Sequence, residues 1–172
     1  MDASDEQLKS EQILCDIKRR HNSKEVIDVE EQRVKVVVFI SGGNRYAFYG
    51  SDIREILTSC EIAWVPGLPE FLPGLINVRG DIESVIDIHY FLGEGKADPH
   101  KSLIAMAVRG DFRSGVMIDS IEDVVDIPLS EVKAPLSTLN GAARDLVIGE
   151  IDHGGKMVSL LDIDKLAARV SL

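Results

Sequence analysis

The side chains whose types and spacing could do chemistry sit close together, between residues 81 and 89. Asp81, Glu83, Asp87 and His89 alternate with apolar residues, and in an extended strand alternate residues share a face. Val85 completes that face, while Ile82, Ser84, Ile86 and Ile88 make up the other. Carboxylates and an imidazole on one face form a donor set for a divalent metal or a small polar ligand. The same alternation is what a half-buried strand with one wet face produces without any ligand. This simpler reading is adopted, so no metal ligand is assigned and no cofactor is expected. A metal- or small-molecule-binding β domain using this face is kept as the alternative.

Nothing else supplies a reaction. Catalysis needs a nucleophile beside a base, paired carboxylates or a metal cluster. The sequence has no GxSxG, HExxH, P-loop or GxGxxG pattern, and Gly42-Gly43 lies between apparent strands rather than before a helix. Asp119, Glu122, Asp123 and Asp126 lack the ligand order of a calcium loop. His21, His100 and His153 fall in an arm or in loops. Cys15 and Cys60 have no CxxC or Cys/His spacing and read as free thiols of a reducing compartment. No catalytic residue is assigned, and no enzyme is expected.

Charge narrows the partners. A net charge of −10 argues against nucleic acid, since a phosphate-binding surface needs clustered Lys and Arg. The run Lys18-Arg19-Arg20-His21 is short and suits the end of a solvated helix. No apolar run approaches the roughly 18 residues of a membrane span, and the first thirty residues lack an apolar signal core. The expectation is a soluble, cytoplasmic protein without direct membrane insertion.

The positioning elements read as all-β. Residues 1–32 form a charged arm, flexible or partly helical, with a sparse stripe of Leu8, Ile13, Leu14 and Ile17. Val34 to Ile40 is almost continuously apolar, as a strand buried on both faces would be. Ser41-Gly42-Gly43-Asn44 supplies a tight hairpin, with a return strand at Tyr46 to Tyr49. A helix capped by Ser51 or Asp52 is expected to run to about Cys60, because Ile53, Ile56 and Leu57 have helical spacing. A short strand at Ile62 to Val65 carries Trp64, read as an anchor in the core or a loop, and a Pro/Gly-rich loop follows. Further strands are expected at 75–78, 82–88, 102–108, 114–118, 121–127, 146–151 and 157–161, then a closing helix capped by Asp162. Many short strands joined by glycine hairpins mean barrels or a sandwich. The polar loop 93–101 is the natural seam between two small halves of one domain over 33–172.

From Arg33 to Val170 the order of features resembles the CheW-like domain family. The densest likeness is Val65-Pro66-Gly67-Leu68-Pro69, Phe71, Gly74-Leu75-Ile76-Asn77-Val78-Arg79-Gly80 and Val85-Ile86-Asp87-Ile88. Tyr46-Ala47, Glu55-Ile56, Gly115-Val116, Asp119, Val124, Gly149 and Leu160-Leu161-Asp162-Ile163 support it. The resemblance implies two small packed SH3-like β-barrels with short helices. It also implies a stand-alone, non-enzymatic signalling adaptor of chemotaxis, coupling the cytoplasmic tips of chemoreceptors to the regulatory domain of a CheA-type histidine kinase in membrane receptor arrays. By matching position, receptor contact falls on Ile53, Glu55, Gly74, Asn77 and Arg79, with Leu103 and Ile121 on the second half. Arg79 is the foremost of these, through charge-assisted bonds. Glu83, Ser84 and His89 depart from the family pattern, which leaves open an adaptor of a motility or regulatory pathway other than swimming.

Overall fold

Two strand-side periodicities run through the chain at once, and they build two barrels with a shared centre. The computed structural model describes residues 30–136 and 141–171. The Leu8–Ile17 stripe, the basic run at 18–21 and Cys15 lie outside the described residues.

The elements are β1 (Arg33–Ser41), β2 (Asn44–Tyr49), β3 (Ile53–Leu57), β4 (Gly74–Val78), β5 (Asp81–Asp87), α1 (Ile88–Leu92), β6 (Leu103–Arg109), β7 (Phe112–Ile118), β8 (Ser120–Pro128), β9 (Val147–His153), β10 (Lys156–Leu161) and α2 (Ile163–Val170). Among the described residues the strands form two five-stranded sheets, ordered β8-β1-β2-β10-β9 and β3-β6-β7-β5-β4. Each sheet curls toward closure at its two edge strands. The chain beyond β3 bridges β4 through Ala63 and Leu75, and the chain beyond β8 bridges β9 through Lys133 and Glu150. We call the first sheet barrel one and the second barrel two.

The continuous apolar runs follow from burial on both faces. Val36, Val38, Ala47, Val158 and Leu160 fill the interior of barrel one. Val85, Ile104, Met106 and Met117 fill that of barrel two. The alternate residues Phe39, Tyr46, Phe48, Ile86, Ala105, Ala107, Val116 and Ile118 point outward into one central core, with Ile88, Phe91, Leu161, Ile163 and Leu166. Burying one such large side chain contributes roughly 1.5–3 kcal/mol, so the centre welds the barrels together.

The barrels are internal copies. Residues 74–92 align without a gap on 149–167, sharing Gly74/Gly149, Ile76/Ile151, Gly80/Gly155, Ser84/Ser159, Asp87/Asp162 and Ile88/Ile163. The bonding repeats too. Asn77 Oδ1 accepts from Gly80 N at 2.8 Å, and Asp152 Oδ1 accepts from Gly155 N at 2.8 Å. Asp87 caps α1 by accepting from His89 N at 3.0 Å, and Asp162 caps α2 by accepting from Asp164 N at 2.9 Å. Each barrel also contains one parallel pair, β5 with β7 and β10 with β2.

Three expectations change. The segment 51–60 is not helical: only Gly50–Asp52 makes a 3-10 turn, and β3 follows. A register shift between Ile53 and Glu55 changes the strand's parity, so Ile53 and Ile56 both reach the central core and imitate a helical spacing. The loop 93–101 is not the seam. It joins α1 to β6 within barrel two, and the chain crosses between barrels at 50–52 and at Asp119. Its polarity marks a surface loop and not a boundary. The strand at 62–65 reduces to the single Ala63 bridge, and Trp64 stands 75% exposed instead of anchored.

Candidate functional site

The turn between β4 and β5 holds the one non-glycine residue with positive φ among the described residues. Among the described residues, four hairpins close through two-residue turns, between Ser41 and Asn44, Val78 and Asp81, Arg109 and Phe112, and His153 and Lys156. Such turns need positive φ, which favours glycine. Glycine fills the first position in three of them, Gly42 at 54°, Gly110 at 56° and Gly154 at 61°. In the fourth it is Arg79, at 54°. A residue with a Cβ in this region costs about 1 kcal/mol or more.

The Arg79 side chain is 76% exposed and meets Glu55 on β3, Nη2 to Oε2 at 2.8 Å and Nη1 to Oε1 at 3.3 Å. The pair spans the gap between the two edge strands of barrel two. At the equivalent corner of barrel one, His153 Nε2 lies 3.1 Å from Asp123 Oδ2. So exposed an ion pair contributes at most about 1 kcal/mol, which roughly offsets the strained turn and leaves no net gain from the arginine.

The structure brings Glu55, Asn77 and Arg79 together, with Asn77 fixing the turn and Arg79 reaching across to Glu55. Gly74 lies at the base of β4, where a Cβ would stand 2.3 Å from the Ala63 carbonyl oxygen. Its place is one of close backbone approach. Ile53, Leu103 and Ile121 are half-buried against the central core, apart from that polar corner. Shallow apolar hollows continue from the corner past Ile82, Leu75 and Cys60 to Trp64.

The 81–89 face does not form. The strand ends at Asp87, and His89 belongs to α1. Arg113 on β7 takes up the two strand carboxylates, with Nε 2.6 Å from Glu83 and Nη2 3.5 Å from Asp81. Asp87 caps α1 and accepts from Ala97 N at 3.0 Å. His89 approaches Asp119 at 2.9 Å. Each donor is therefore committed to the fold, and no group of three or more metal-ligating side chains gathers among the described residues. The cysteine Cys60 is a free, half-buried thiol.

Several structural groups escaped the sequence reading. Arg109 bonds Asp52 and Asp164, and Glu94 accepts from Ser41, Asn44 and Tyr46. Burial, and then the Glu94 carboxylate, pushes the Tyr46 phenol well above its ordinary value, so it remains a donor. These pairs join segments remote in sequence, and the isolated charges gave no spacing signal.

Comparison with known proteins follows the same lines. The CheW-like domain family matches residues 35–171. The chain is 23% identical over 151 residues to the chemotaxis protein CheW of Treponema pallidum (strain Nichols), covering 85% of this chain and 89% of the relative. It is 28% identical over 133 residues to the protein FrzA of Myxococcus xanthus, covering 74% and 81%. Among solved structures, the scaffolding protein TtCheW from Thermoanaerobacter tengcongensis superposes with a TM-score of 0.69 at 26% identity, covering 77% of this chain and 90% of that one.

Proposed function

Since the chain belongs to the CheW-like domain family, we propose that it is a chemotaxis coupling adaptor without catalytic activity. In this reading it joins the cytoplasmic tips of chemoreceptors to the regulatory domain of a CheA-type histidine kinase, acts in the cytoplasm and is recruited to membrane receptor arrays. Relatives carrying the name chemotaxis protein CheW, and a solved relative described as a scaffolding protein, support it. No helix among the described residues is long and apolar enough to cross a membrane.

The observation that carries the receptor assignment is Arg79 at φ 54°, where the internal copy has Gly154. Strain without a compensating structural gain points to a group kept for contact. The exposed guanidinium offers a planar, bidentate donor to carboxylates or carbonyls of a receptor helix. Glu55 orients it, Asn77 fixes the turn, and Gly74 lets the backbone of β4 close on Ala63. Ile53, Leu103 and Ile121, half-buried against the central core, would add an apolar contact surface apart from that polar corner. Coupling then works through unequal binding to receptor states, which biases the attached kinase.

A pull-down from native lysate tests this with wild-type protein and Arg79→Glu. The expected result is recovery of a receptor and a CheA-type kinase by the wild type, with the receptor lost in the variant. Absence of both partners from the wild-type sample would overturn the reading.

A further inference from the structure

Strands β3 and β8 follow the two crossovers between barrels, and both carry the same irregularity at the same place. On β3, Ile53 pairs with Ala107 and Glu55 with Met106, so Arg54 is an extra residue in the ladder. On β8, Ile121 pairs with Phe39 and Asp123 with Val38, so Glu122 is the extra residue. The two bulges are equivalent. Residues 42–57 align without a gap on 110–125, which sets Ile53 on Ile121 and Arg54 on Glu122. The residues opposite the isoleucines, Ala107 and Phe39, both belong to the central core.

A bulge decides which way the residues before it face. Without one, the pairing of Glu55 with Met106 would set Arg54 against Ala107 and Ile53 against Val108, and Ile53 would turn away from the core. With it, Ile53 and Ile121 are both half-buried against the central core, while Arg54 and Glu122 stand exposed. An arginine anchors each bulge. At β3, Arg109 on the end of β6 donates from Nη1 to the Asp52 carboxylate at 3.1 and 3.2 Å, and from Nε to Asp164 Oδ2 in α2 at 2.6 Å. Asp52 is buried just ahead of Ile53, so its charge depends on that guanidinium. At β8, Arg45 reaches across β1 from β2 and holds the bulged residue itself, Nε to Glu122 Oε2 at 2.8 Å and to Oε1 at 3.0 Å. The anchors are not repeats of one another. Arg109 matches Ser41, and Asp52 matches Ser120. Two different ion pairs thus hold one shared geometry.

We propose that Arg109 and Arg45 are positioning residues for receptor contact, which lock the two bulges and so present Ile53 and Ile121 as an equivalent apolar pair, one after each crossover. The inference rests on the receptor assignment of those two isoleucines. Neither arginine has to touch the partner. Each isoleucine lays part of its side chain on the central core and leaves the rest accessible, as a contact for the apolar stripe of a partner helix requires. In this arrangement Arg79 supplies the polar contact, and Arg109 and Arg45 fix where the apolar contacts stand.

Methyl NMR of the full chain with labelled isoleucine reads the placement, and titration with a chemoreceptor cytoplasmic fragment reads its use. Arg109→Gln should shift the Ile53 methyl signal while Ile56, beyond the bulge, and Ile121 keep theirs. Arg45→Gln should shift Ile121 and leave Ile53 in place. Each variant should bind the receptor fragment about five-fold more weakly, with unchanged affinity for the regulatory domain of a CheA-type kinase. Arg109→Gln strands the buried Asp52, so the double variant Arg109→Gln with Asp52→Asn takes its place if the single one folds poorly. An Ile53 signal unmoved by loss of Arg109 would overturn the positioning role. So would wild-type receptor affinity in variants whose isoleucine signals have moved, or an equal loss of affinity for receptor and kinase. Should Ile53→Ala and Ile121→Ala themselves bind the receptor fragment as wild type does, the receptor assignment of these residues fails, and the inference with it.

Discussion

Arg79 and Gly154 occupy the same first position of two equivalent hairpin turns, at φ 54° and 61°. The backbone of barrel one thus shows what the turn of barrel two would carry if stability alone decided. Arg79→Gly is expected to leave the unfolding midpoint unchanged or to raise stability by up to about 1 kcal/mol, since relief of strain offsets the lost surface pair. Denaturant unfolding of the two proteins checks this, and a clear loss of stability would mean that the arginine is structural.

Gly74 and Gly149 are the second matched pair. A Cβ at Gly149 would stand 2.7 Å from Val132 Cγ1 and 3.0 Å from the Lys133 carbonyl oxygen, and at Gly74 the Ala63 backbone blocks it. Each glycine lets the chain beyond an outer strand bridge back and close its barrel. Gly74→Ala and Gly149→Ala should each destabilise by about 1–3 kcal/mol, through forced backbone movement. Thermal unfolding of both variants is the check, and Gly43→Ala, with open space around its Cβ site, separates crowding from turn strain.

The shared centre should make the barrels unfold as one. Ile88 is fully buried there, among side chains from both sheets. Ile88→Ala should cost about 2–5 kcal/mol, and it should lower the protection of slow-exchanging amides in both barrels together. Loss confined to barrel two would show that the centre couples them weakly.

Acid should weaken barrel one at a defined place. The Arg45 guanidinium holds the Glu122 carboxyl below its usual range, with Nε to Oε2 at 2.8 Å. A carboxyl lowered in the folded state stabilises above its unfolded value and loses that contribution as pH falls through the folded value. The window therefore lies below about pH 4.3. Glu122→Gln should be less stable than wild type at neutral pH, and the two should converge as pH falls through that window. Parallel curves would show that the pair contributes nothing.

Much of this was legible in the residues. Strand positions followed from β-branched runs, the hairpins from their glycines, and the closing helix from Asp162. Burial on two faces was visible in Val34 to Ile40, though not that each face served a different core. The internal repeat was present in the spacing of Gly74, Ser84, Asp87 and Ile88 against Gly149, Ser159, Asp162 and Ile163, yet single matches stay faint until the sheets are superposed. The helix expected at 51–60 failed because a bulge mimics helical spacing. The 81–89 face failed because Asp87 stops the strand by capping α1. The corner of Glu55, Asn77 and Arg79 was named from resemblance. Its strain, and the bonds around Arg109 and Glu94, required knowing which distant segments meet.

In the proposed function the Arg79 guanidinium contacts a receptor. The direct measurement is the affinity of a chemoreceptor cytoplasmic fragment for wild type, Arg79→Glu and the swapped pair Arg79→Glu with Glu55→Arg. Arg79→Glu should bind at least about ten-fold more weakly, a loss of roughly 1.4 kcal/mol. The swap should restore the intramolecular pair without restoring binding. Equal affinity of Arg79→Glu and wild type would contradict the claim, and full rescue by the swap would reduce Arg79 to a brace for the barrel edge.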